Sequence, residues 1–273
     1  MSERKHHRGR RKKSNFLLNI ILVIAVIVFC VSGYNLLKIG KGYKDGQDEY
    51  KKVRKLAVTQ DKDSGRSVDE FQVDFDKLKK INADTIGWIR FSPKPKEINY
   101  PIVQGEDNDY YLHRTFQRTD NFAGSIFMDY MNKSNFGQRN TIVYGHNMKN
   151  GSMFGSLKNY RDQEVYKKSP YFWIYTPTGI YKYEIFACAE VDKFGQDYQI
   201  TFRDKEDFRE FIYRAQDQAL YDTGVDVDYT DTVVTLSTCT GNEATRFIVQ
   251  GKRVRTYQSV PKTDGYETEE RID

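Results

Sequence analysis

Cysteine and histidine are scarce in this chain, with three and four among 273 residues. Cys30, Cys188 and Cys239 imply no disulfide framework of the kind that holds small secreted domains together. Of the four histidines, His6 and His7 lie in a basic N-terminal stretch, and with only His113 and His146 left no zinc site is spelled out. No metal or other cofactor is called for. An internal repeat, a phosphate-binding glycine loop and a dinucleotide fingerprint are all missing, so no nucleotide chemistry is indicated. A second long apolar run is missing as well. What the chain does have is 38% hydrophobic and 14% aromatic residues, enough for a real core and too much for a disordered protein.

The formal net charge of +5 misleads until it is located. Residues 1–13 hold seven Lys/Arg against Glu3, so the remainder of the chain is near −1. A basic segment confined to one end is no nucleic-acid footprint, and nucleic acid is discounted as a partner. The run Phe16 to Leu37 follows at once, broken by Asn19, Ser32, Tyr34 and Asn35, and is long enough for a bilayer-spanning helix. Val31-Ser32-Gly33 would pass as a cleavage site, but the run is longer than a signal peptide needs, which favours an uncleaved anchor. Phe29 before Cys30 excludes a lipoprotein anchor. Positive charges stay cytoplasmic, so the expectation is a single-pass protein with its body outside the cytoplasmic membrane.

This gives a domain plan of basic tag (1–15), signal-anchor (16–37), polar stalk (38–67), catalytic domain (68–260) and charged, loose tail (261–273). A helix is possible within the stalk around Tyr43 to Leu56. Ser67 and Glu70 stand in capping-box spacing before Phe71, Phe75, Leu78 and Ile81, which predicts a helix. Beyond it the pattern is mainly strands: Gly87–Phe91, Ile98–Gln104, Gly124–Asp129, Asn140–Tyr144, Tyr171–Thr176, Tyr181–Val191, Thr232–Thr238 and Arg246–Val254. One long helix interrupts them at Asp204 to Leu220, with Phe208, Phe211, Ile212 and Ala215 on one face. Many short strands with few helices suggest a mainly β fold, a closed or nearly closed barrel with peripheral helices.

Candidate chemistry gathers at strand ends. Thr235-Leu236-Ser237-Thr238-Cys239 ends one strand, a turn containing Gly241 and Asn242 follows, and Arg246 opens the next strand, folded back beside Cys239. Tyr144-Gly145-His146-Asn147 closes another strand, where Gly145 lets the chain leave the sheet. A thiol, an imidazole and a guanidinium at one rim suit acyl transfer, since a cysteine needs a base or cation beside it and the oxyanion needs a donor. Taken singly, each has a bland reading as buried thiol, structural histidine or solvated arginine. Cys188, inside an aromatic strand, reads as a buried inert thiol, His113 as structural, and Tyr144 as packing. Ser237 and Thr238 are candidates to shape a substrate cleft, although strand alternation alone also explains them.

The TLSTC segment with its downstream arginine, paired with the YGHNM segment of residues 144–148, resembles the sortases of Gram-positive bacteria. Asn82 to Ile89, Tyr100 to Gln104, Gly124 to Asp129 and Thr141 to Met148 are similar, in order and spacing, to the class B branch. The resemblance covers about residues 68–255, and departs from class B in the short six-residue connection between Cys239 and Arg246. It implies an eight-stranded sortase-type barrel and a cysteine transpeptidase in which Cys239 is the nucleophile, His146 the acid and base, and Arg246 the carbonyl or oxyanion ligand. The implied partners are secreted proteins bearing a C-terminal sorting motif of Pro-x-Thr type and an amine of the peptidoglycan precursor. A papain-like enzyme would place cysteine before histidine, and no caspase Gln-Ala-Cys segment surrounds Cys239. A pilus-polymerising sortase and an idle, membrane-tethered peptide-binding module are the alternatives.

Overall fold

The computed structural model describes residues 12–61 and 71–258. The chain divides into two compact units, the first ending at Asp45 and the second beginning at Gly46. Helix α1 (Lys12–Ala57) starts in the first, where it carries the apolar run with Phe16, Leu22, Phe29 and Leu37 all exposed, and its last turns belong to the second. Among the described residues this is the one helix long and apolar enough to cross a membrane. The tail from residue 261 and the capping pair Ser67 and Glu70 lie outside the described residues, as does most of the basic tag.

The second unit is built on a closed barrel of eight strands. In chain order they are β3 (Thr85–Phe91), β4 (Asn99–Val103), β5 (Ile126–Met128), β6 (Asn140–Tyr144), β7 (Tyr171–Tyr175), β8 (Gly179–Asp192), β9 (Val233–Cys239) and β10 (Thr245–Gln258). Around the barrel they run β10-β8-β7-β3-β4-β5-β6-β9, closing on β10. The β4–β5 and β6–β9 pairs are parallel and the rest antiparallel. Closure leaves no free edge along the ring. Trp88, Ile102, Ile126, Phe172, Tyr183 and Leu236 are almost fully buried, and each such large apolar side chain contributes about 1.5–3 kcal/mol.

The short helix α3 (Gln163–Lys168) precedes β7, and helix α4 (Lys205–Asp217) covers the barrel with Phe208, Phe211, Ile212 and Ala215, which pack with Phe186, Ala187 and Val233. Asp204 caps it as its sequence position suggests, accepting hydrogen bonds from the Glu206 and Asp207 amides. The earlier helix differs from expectation. Phe71 lies in a strand, β2 (Phe71–Val73), paired with β1 (Val58–Asp61), and the helix α2 (Phe75–Ile81) starts only at the cap Asp74. The reason is packing: the Phe71 ring sits on Trp88 and Tyr175, which an extended backbone allows. Part of the expected stalk is likewise packed. Tyr50, Val53 and Ala57, one helical face of α1 within the second unit, are buried.

Candidate active site

Strands β6 and β9 run parallel with Tyr144 opposite Ser237 and Asn140 opposite Val233. The same offset of ninety-three residues separates His146 from Cys239, so the ladder, continued past the strand ends, brings them level. Three bonds carry it there. Gly145 N donates to Ser237 O (3.1 Å), Thr238 Oγ1 to Gly145 O (2.7 Å), and Asn147 Nδ2 to Cys239 O (2.7 Å). On the other side of β9, Cys239 and Arg246 are directly opposed partners in the antiparallel β9–β10 ladder, so their side chains share a face. His146, two residues beyond the end of β6, therefore stands in one row with Cys239 of β9 and Arg246 of β10.

Gly145 is needed here for space. A Cβ would stand 2.5 Å from Ile126 Cδ1 and 2.7 Å from Phe154 Cγ, so the turn out of β6 closes only around a glycine. The imidazole beyond it is half-buried, and its Nε2 lies 2.7 Å from the Leu112 carbonyl oxygen. A carbonyl can only accept, so Nε2 carries a proton and Nδ1 is the nitrogen left to titrate. Burial holds the His146 pKa below the ordinary 6.5, with the Leu112 bond opposing that shift. Arg246 is half-buried, and its Nη1 donates to the Thr245 (2.8 Å) and Glu243 (3.2 Å) carbonyls, which tether the guanidinium to the turn between β9 and β10.

Ser237 and Thr238, expected to shape the cleft, are each 2% exposed. The Thr238 hydroxyl is engaged by Gly145, and Ser237 Oγ lies 2.8 Å from the Tyr198 hydroxyl. Tyr198, on the connection between β8 and α4, had no signal in the sequence because that segment has no periodicity. Its ring stacks on Tyr144 at 6.2 Å, and Tyr144 donates to Asp129 Oδ2 (2.9 Å), which also accepts from Asn108 (2.8 Å). Tyr144 is thus part of a polar wall as well as packing. Burial pushes the Tyr198 hydroxyl up to about 12, so it stays protonated. His113 stays outside with its ring exposed, 3.7 Å from Asp109. Cys188 is fully buried, its thiol pushed up to about 12 by that burial.

Comparison with known proteins gives this geometry a family. A sortase-domain family model matches residues 93–254. Sortase B of Listeria monocytogenes is 34% identical over 89% of this chain and 99% of its own, and sortase B of Staphylococcus aureus is 30% identical over 88% and 96%. The chain belongs to the sortase family, in its class B. Solved sortase B structures agree. That from B. anthracis in complex with AAEK1 has a TM-score of 0.70 at 34% identity, covering 80% of this chain and all of that one. The S. aureus sortase B–substrate complex has a TM-score of 0.63 at 27% identity, covering 82% and 98%. The enzyme is accordingly a cysteine transpeptidase of the cell-wall anchoring type.

Asn147 is the sortase residue whose position the sequence left without a role. Its amide holds the Cys239 carbonyl and so fixes the corner at which β9 leaves the barrel. Asn147→Ala is expected to lower kcat about tenfold while costing only about 1 kcal/mol of stability, the worth of one hydrogen bond. Steady-state kinetics beside a thermal melt checks both figures. Unchanged kcat would show that the corner holds without the amide.

Proposed function

We propose that this class B sortase is a single-pass membrane enzyme that cleaves a Pro-x-Thr type sorting motif in secreted proteins and joins them to a peptidoglycan amine. The row His146–Cys239–Arg246 is the observation that carries the reading. As Cys239 Sγ attacks the threonine carbonyl carbon, its thiol proton passes to Nδ1 of His146. The peptide C–N bond breaks, and the departing amine takes a proton from His146, leaving a thioester. An incoming amine then attacks the thioester carbon, His146 accepts its proton, and the C–S bond breaks to return the thiol. Arg246 stabilises the oxyanion at each tetrahedral stage. Ser237 and Thr238 contribute to the cleft by fixing its floor, and Tyr198 by lining it.

The Leu112 bond gives the proton traffic to Nδ1 of His146. With its pKa held below 6.5, the imidazole is neutral at pH 7 and ready to act as base in the second half-reaction. Hydrolysis of a preformed acyl-enzyme, whose water nucleophile does not itself titrate, is therefore expected to be pH-independent near 7 and to fall as pH drops through a pKa below 6.5, where His146 gains a proton. A limb centred above 6.5 would contradict this. The basic residues before the apolar helix support a cytoplasmic N-terminus, with the catalytic unit outside the cell.

The experiment uses the wild-type protein and Cys239→Ala, a panel of quenched fluorescent Pro-x-Thr peptides, presence or absence of an amine acceptor, and mass spectrometry of the products. Thiol-dependent cleavage after threonine with an amine-linked product supports the proposal. A peptide that binds without cleavage or acyl adduct would make the groove a binding site instead.

A further inference from the structure

One loop holds the His146 ring and a second holds its main chain, and one side chain of α1 lies against the supports of both. The first loop, between β4 and β5, presents the Leu112 carbonyl to Nε2 (2.7 Å). Its return is held by the Ser125 amide donating to Tyr111 O (2.9 Å) and by Gly124, whose Cβ position is 3.0 Å from His146 Cδ2. The Tyr50 hydroxyl donates to Gly124 O (2.8 Å) and reaches Ser125 Oγ (3.3 Å). Ser125 Oγ in turn donates to Arg114 O (2.8 Å), which ties the outgoing and returning arms of that loop together.

The second loop follows His146 itself. Phe154 N donates to His146 O (3.0 Å), and the neighbouring Met153 N donates to the Tyr100 hydroxyl (3.1 Å). Tyr100 meets Tyr50 edge to face, with ring centroids 5.2 Å apart. The Tyr50 hydroxyl thus anchors one loop and its ring supports the side chain that anchors the other. Tyr50 is 6% exposed, far more buried than a passive linker requires.

We infer that Tyr50 is a positioning residue for the transpeptidase reaction, holding the two loops so that the His146 ring keeps its bond to Leu112 and its Nδ1 turned to the reacting atoms. The inference rests on His146 being the catalytic acid and base. Binding of the sorting peptide does not require that bond, so the effect belongs in kcat and not in KM. Loss of one orienting hydrogen bond next to the ring corresponds to a fall of about 5- to 10-fold.

The test uses the full chain in detergent micelles with a cleavable peptide, comparing wild type, Tyr50→Phe, Arg54→Met and His146→Ala. Arg54, one turn along the same helix, hydrogen-bonds Asn99 O (2.9 Å) and controls for general anchoring of the helix to β4. Tyr50→Phe is expected to lower kcat about 5- to 10-fold with KM within about twofold. The His146 Nε2 proton signal in NMR should broaden as its bond to Leu112 loosens. Arg54→Met should keep kcat within about twofold of wild type. An unchanged kcat and an unchanged ring signal in Tyr50→Phe, with His146→Ala inactive, would overturn the inference and leave the site intact. Equal losses in Tyr50→Phe and Arg54→Met would overturn it as well, since the helix would then act only as a general brace. Activity retained by His146→Ala would remove the reading beneath it.

Discussion

Cys239→Ala is expected to lower kcat/KM for a cleavable peptide by at least ~10³-fold and to abolish the acyl adduct. The thiol is half-buried at the end of β9, so its loss opens no core cavity and the fold should survive. His146→Ala should cost a similar factor, because a thiol without its proton partner neither forms nor discharges the thioester efficiently. The two groups act as one unit, so the double variant should be little worse than either single one. Peptide cleavage assays together with intact-protein mass spectrometry measure all three variants. Multiplying losses in the double variant would mean that the two side chains act in separate steps, contrary to their position in one row.

Gly124→Ala is expected to lower both stability and turnover, although the residue lies outside the row. The residue sits at φ +58, where a side chain costs about 1 kcal/mol or more. A Cβ there would lie 2.5 Å from the Leu112 oxygen and 2.9 Å from the Tyr111 oxygen. Both obstacles are backbone atoms, so relief requires the loop to move, and it carries the carbonyl that orients His146. We expect a stability loss of about 2–3 kcal/mol and a fall in kcat of about 10²-fold, the scale of an ångström-sized misplacement at a reacting group. Denaturant melts and single-turnover kinetics separate the two effects. A stable variant with full kcat would show that Leu112 is not needed to hold the ring.

Much of the barrel is legible in the chain because its strands are short, β-branched and aromatic, and broken by turns. Asn140–Tyr144 was readable to the residue, and the α4 face with its Asp204 cap nearly so. The α2 region was not, because Phe71, Phe75, Leu78 and Ile81 keep a helical period although Phe71 belongs to a strand. Periodicity reports spacing, and only the rings of Trp88 and Tyr175 decide which backbone delivers Phe71 to its place. The stalk reading met the same limit. A polar, glycine-containing segment reads as a spacer, yet within it Tyr50, Val53 and Ala57 form a buried face whose partners lie far away in sequence.

At the site, the sequence by itself supplied the candidate reactive set. Cys239, His146 and Arg246 stand at strand ends with turn-formers beside them, and the hairpin alone is enough to oppose Cys239 and Arg246. The apolar run and its basic flank likewise follow from composition, because bilayer thickness and charge act on local segments. Only the tertiary structure decided that β6 and β9 pair in parallel, which aligns His146 with Cys239 across ninety-three residues. It alone supplied Leu112, Asn147, Tyr198 and Tyr50 as the groups that hold the row. Their roles depend on contacts between segments distant in the chain, and such contacts form only when burying the core repays the entropy of closing the loops between them.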